Sequence, residues 1–106
     1  MLTFASARRL AETYVEVITN GDGELLRDST IAKPYGWIFF YQNREYLRDP
    51  TNILNAYGGN APFVVDRDTL EVRVFGTAWP LETYIDQYEA TMPPARLSGK
   101  PQIPSW

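Results

Sequence analysis

The chain has 106 residues and 12.1 kDa, 44% of it hydrophobic and 14% aromatic against 22% charged, which is the composition of one globular domain and excludes general disorder. It has no cysteine and no histidine, which removes thiolate chemistry, disulfides, Cys- or His-ligated metals and imidazole acid–base catalysis. The net charge of −3 is uneven: residues 1–89 hold eight basic against thirteen acidic groups, whereas Arg96 and Lys100 are the only charges after Ala90. Nucleic acid needs a clustered basic surface that this pattern lacks, and a basic protein partner suits it better.

From Thr3 to Asn20 the apolar residues Ala7, Leu10, Ala11, Tyr14, Val17 and Ile18 recur at helical spacing, with Arg8, Arg9, Glu12 and Glu16 between them. This predicts an amphipathic helix with Thr3 as N-cap and Asn20-Gly21 as a left-handed stop. Leu25, Leu26 and Ile31 predict one interrupted edge strand over 24–31. The aromatic run from Lys33 to Gln42 predicts a single central strand, with Trp37, Phe39 and Tyr41 on one face and Ile38 and Phe40 on the other. Residues 43–59 form a long connection, and connections of that length in compact domains are usually functional or contain a short helix.

Phe63-Val64-Val65 and Leu70 to Phe75 predict a hairpin turning at Asp66-Arg67-Asp68-Thr69. Pro80 then opens a second amphipathic helix whose buried face is Leu81, Tyr84, Ile85 and Tyr88. Four of the eight prolines fall after Met92, so 91–106 reads as an extended proline-rich C-terminal tail, neither helix nor central strand, with Ile103 and Trp106 as anchors. The expected architecture is an α+β domain over 1–90, a mainly antiparallel sheet of about four strands between N- and C-terminal helices in the order α-β-β-β-β-α, with that tail appended. The N-terminus lacks a signal-peptide core and no apolar run reaches the ~20 residues of a membrane span, so a cytoplasmic protein is expected.

Three blocks, Lys33-Pro34-Tyr35-Gly36-Trp37-Ile38-Phe39-Phe40-Tyr41, Gly59-Asn60-Ala61-Pro62-Phe63-Val64-Val65-Asp66 and Gly76-Thr77-Ala78-Trp79-Pro80-Leu81-Glu82-Thr83-Tyr84-Ile85, resemble in order and spacing the Immunity protein 35 family of YrhB-like bacterial proteins. The resemblance spans about Ala7 to Glu89. It implies an immunity protein that binds and neutralises the catalytic domain of a cognate toxin; the alternative within the same family is a small chaperone or peptide-binding module. The sequence departs from the family at Leu70, where glycine is common.

Gly36, Gly76, Pro34, Pro80 and the aromatic residues of these blocks read as structural, so specificity is expected outside them. Loop 43–59 supplies Arg44, Tyr46, Arg48 and Tyr57, residue types enriched at binding hot spots, beside acidic Glu45 and Asp49, and Trp106 is a further candidate. The competing reading has Tyr46, Leu47, Ile53 and Leu54 closing the core beneath a solvated loop. Carboxylate pairs that could serve catalysis, Asp66 and Asp68 with Glu71, or Glu82 with Asp86, are better explained by a turn and a solvated helix face. The expectation is therefore a binder and not an enzyme, with no cofactor, metal, small-molecule substrate, nucleic acid or membrane partner.

Overall fold

The computed structural model describes residues 1–106. Helix α1 spans Phe4–Ile18; Thr3 caps it by accepting from the Ser6 amide, and Asn20 (φ 53°) and Gly21 (φ 84°) make the left-handed exit. The expected strand over 24–31 is instead two: β1 (Gly23–Leu25) and β2 (Ile31–Lys33), parted by a 3-10 turn at Arg27–Ser29. The Thr30 hydroxyl donates back to the Leu26 carbonyl at 3.3 Å and stabilises that turn, so the chain leaves one sheet and joins another.

The aromatic run also divides, into β3 (Gly36–Phe39) and β4 (Tyr41–Asn43). The hairpin partners Lys33 and Gly36 place Pro34 and Tyr35 in the turn between β2 and β3. A Cβ on Gly36 would collide with the Val65 carbonyl oxygen, so the close approach of these strands requires glycine. Strand β5 (Phe63–Asp66) pairs with β3 from Phe39↔Phe63 to Gly36↔Asp66. The ladder stops at Phe39↔Phe63 because the Phe40 carbonyl accepts from the Leu26 amide and the Pro62 carbonyl from the Phe75 amide, so neither residue bonds to the other's strand. Past Phe40 the chain finds a new partner, with Tyr41 opposite Leu25 of β1.

The long connection contains helix α2 (Arg44–Arg48) and a 3-10 turn at Ile53–Asn55. Strand β6 (Val72–Val74), helix α3 (Leu81–Glu89) and a one-turn helix α4 (Pro94–Leu97) complete the chain. The last corrects the expectation of a helix-free tail: Pro94 occupies the first turn, where a missing N–H is harmless.

The result is α+β, with an antiparallel four-stranded sheet ordered β2-β3-β5-β6 and a separate two-stranded sheet β1-β4. Strand alternation divides the core in two. Trp37, Phe39, Phe63 and Val65 face α1 through Phe4, Ala7, Ala11 and Val15. Ile38 and Val64 face α3 through Ile85 and Tyr88, joined by Tyr35 and Phe75. Packing on both faces explains why the central strands read as apolar throughout. No helix is long and apolar enough to cross a membrane.

Candidate functional site

The loop singled out by the sequence is fastened at both ends by polar residues of β4. The Asn43 carboxamide oxygen accepts from the Glu45 and Tyr46 amides at 2.9 and 3.1 Å, which starts α2. The Arg44 guanidinium donates to the Gly21 and Gly23 carbonyls at 2.9 and 3.2 Å, so this arginine ties the loop to the α1–β1 turn. At the far end the Tyr57 amide donates to Gln42 Oε1 at 2.7 Å, its ring lies 6.1 Å from that of Tyr41, and the Asn60 side-chain Nδ2 donates to the Tyr41 carbonyl. Burial raises the Tyr41 hydroxyl above the usual tyrosine range, with Tyr14 and Tyr57 adding to the shift, so it stays neutral.

Between these fastenings the loop is open to water. Glu45 and Arg48 pair with each other at 2.8 Å while both stay largely exposed, and Asp49 accepts from the Thr51 amide at 3.3 Å. Tyr46 is half-buried. Ile53 and Leu54 are 74% and 91% exposed, which overturns the idea that they close the core. Sequence reasoning passed over them as binding residues because an isolated Ile-Leu pair carries no sign of which way it faces; Gln42, a polar residue ending an aromatic strand, was the available clue to how the loop is held.

Two concavities flank β1 at this end of the molecule. One, of about 560 Å³, is lined by Ile18, Tyr41, Ala56 and Tyr57 with Asp22 and Asn60. The other, of about 450 Å³, is lined by Glu12, Glu16 and Glu24, with Arg44 on its wall. Val17 stands 74% exposed on the same last turns of α1. The surface thus combines apolar groups with acidic ones around a fixed backbone, an arrangement suited to docking a basic protein surface.

The other proposed residues have different surroundings. Of the named set, Arg44, Glu45, Tyr46, Arg48, Asp49 and Tyr57 share this loop, but Trp106 does not: it packs on its own domain, 5.1 Å from Phe4 between centroids. Ile103, expected as an anchor, is 75% exposed. Asp66 is fully buried and serves the hairpin, accepting from the Asp68 and Thr69 amides at 2.9 and 3.0 Å and from the Tyr88 hydroxyl at 3.0 Å. The Arg96 guanidinium closes on both Asp66 oxygens, at 2.7 Å to Oδ2, and on Asp68 at 3.1 Å. Across the same face the Tyr35 hydroxyl donates to Glu89 at 2.8 Å and Lys33 pairs with Glu89 at 3.2 Å. These carboxylates are consumed by the fold.

Set beside known proteins, the chain is similar to the uncharacterized protein YrhB of Escherichia coli (strain K12), with 43% identity over 91 residues, covering 84% of this chain and 90% of that protein. No family model matches it, and no solved structure does.

Proposed function

The chain belongs to the family of YrhB, and on that premise we propose that it is an immunity protein of the Immunity protein 35 kind, which binds the catalytic domain of a cognate bacterial toxin in the cytoplasm and blocks it sterically. The observation that carries the reading is the loop after β4. Its two ends are pinned by Gln42, Asn43, Arg44 and Asn60, while Ile53 and Leu54 project into solvent between them. An apolar pair on a preorganised loop loses little entropy on docking, and its exposure has a cost in the free protein that a partner relieves. Acidic groups around it favour a basic partner, such as a nuclease domain.

The test is growth rescue. A candidate toxin domain with a basic surface is expressed in bacteria alone, with the parent chain, and with a chain carrying Ile53→Ser and Leu54→Ser. The expected result is rescue by the parent and its loss in the double variant, with an unchanged urea midpoint. Toxicity that persists beside soluble, folded parent chain would overturn the reading and favour a small chaperone, to be followed by client-aggregation assays.

A further inference from the structure

Residues 99–106 cross α1 and β3 without a single backbone–backbone hydrogen bond; the last one in the chain runs from the Ser98 amide to Pro94. Side chains of the body hold the segment instead. The Trp37 indole N–H donates to the Gln102 carbonyl at 2.8 Å, and the Phe4 amide donates to Gln102 Oε1 at 3.0 Å. Four residues on, the Trp106 ring meets Phe4 and Phe39 edge-on at 5.1 and 6.3 Å, with the Arg8 and Arg27 guanidinium groups 5.0 and 5.4 Å from its centroid. Ile103 and Ser105 between the two anchors face water.

This is how a peptide sits in a groove. A polar clamp takes one glutamine through both its carbonyl and its side chain, an aromatic and cationic socket takes one tryptophan, and proline stiffens the stretch between. The groove's own parts lie entirely in the body. With the segment lifted away, the Phe4 amide and the Trp37 indole would lose their partners, and the Phe4 and Phe39 rings would lose the Trp106 ring packed edge-on against them. The occupant is by contrast lightly held, because no ladder fastens it.

We infer that Phe4, Arg8, Arg27, Trp37 and Phe39 form a peptide-binding site of which residues 99–106 are the built-in occupant, and that the site accepts from a partner protein an extended segment with tryptophan four residues after glutamine and proline between them. The inference is independent of the loop and of the function proposed for it. A tethered occupant competes at an effective concentration on the order of millimolar, so the partner's apparent affinity is reduced by the fraction of chains whose segment is closed. Partner binding would release the tail.

The probe is a fluorescein-labelled synthetic peptide with the sequence of residues 99–106, titrated by anisotropy into the full-length chain. A Trp106→Ala chain, whose own anchor is gone, should bind it saturably; the parent chain should bind it at least tenfold more weakly, and a peptide with alanine in place of its tryptophan should not bind. Gln102→Ala, which opens the clamp but keeps the aromatic cover, should also bind more tightly than the parent and serves if Trp106→Ala fails to fold. No saturable binding to either folded variant, or equal binding of both peptides, would overturn the site. Self-association of the parent that Trp106→Ala abolishes would assign the groove to a second copy of this chain and overturn the foreign partner.

Discussion

Leu70 adopts φ +65°, a backbone region that costs an L-residue with a Cβ roughly 1–2 kcal/mol. The hairpin forces it there. Asp66 caps the Asp68 and Thr69 amides, the Leu70 amide donates to the Asp66 carbonyl at 3.0 Å, and one residue must then turn left-handed before β6. Glycine is the usual solution at such a position, and this chain has leucine. With Leu70 55% exposed, little packing is lost on its removal. Leu70→Gly should therefore raise stability by up to about 1 kcal/mol, the gain being trimmed by glycine's greater freedom when unfolded. Leu70→Ala should gain nothing, since it keeps the Cβ. Urea unfolding of the three chains decides this, and a clear loss of stability in Leu70→Gly would show that the leucine side chain has a role the backbone does not reveal.

Whole elements were legible where a period ran unbroken: the ends of α1 follow from Thr3 and Asn20-Gly21, and the inner face of α3 follows from the Leu81, Tyr84, Ile85, Tyr88 spacing, whereas the buried stripe of α1 is Phe4, Ala7, Ala11 and Val15, and the expected Leu10, Val17 and Ile18 lie at the surface. What could not be read was where a strand changes partner. The run from Gly36 to Asn43 keeps its alternation through Phe40, with Tyr41 still on the α1 face, so nothing local announces that β5 has ended and β1 has begun. The candidate loop was legible as a location, but its exposed pair was not, and neither was the Arg96–Asp66 contact, which joins residues thirty apart in sequence. That contact has a pH signature. Burial pushes the Asp66 carboxyl up, but the Arg96 guanidinium, the Thr69 and Asp68 amides and the Tyr88 hydroxyl outweigh it and lower its pKa from 3.8 to about 2. Because the folded pKa lies below the unfolded one, the contribution is fully present above about pH 4 and is lost as pH falls toward 2, a change of about 2 kcal/mol. Asp66→Asn should lower stability at pH 7 and flatten the acid limb of a plot of unfolding free energy against pH. A variant that keeps the parent's acid limb would place the titration elsewhere.

Across the whole molecule the short helices carry their charges as the helix dipole prefers, with Glu45 and Glu82 in first turns and Arg48 and Arg96 in last turns, but α1 does not. Helix α1 has Arg8 and Arg9 toward its N-terminus and Glu12 and Glu16 toward its C-terminus, with no acid in its first turn and no base in its last. The macrodipole favours the reverse order, and the Arg8–Glu12 pair at 3.5 Å runs in the weaker of the two directions. Helix stability does not account for this placement; its effect is to bring Glu12 and Glu16 together with Glu24 in one cleft beside the loop, while Arg67, Arg96 and Lys100, from other parts of the chain, line another concavity with Asp68. A molecule polarised in this way would orient the basic partner proposed for it, over distances of about a Debye length, ~8 Å at physiological ionic strength. Steering and grip should then separate kinetically. Against the partner that passes the rescue test, raising salt from 50 to 500 mM should lower the association rate about tenfold or more with little change in dissociation. Ile53→Ser with Leu54→Ser should do the opposite, raising the dissociation rate and leaving the salt dependence of association intact, because no charge has changed. Stopped-flow association across a salt series reads both. An association rate indifferent to salt would mean that the acidic cleft does not face the partner, and that the loop alone makes the encounter.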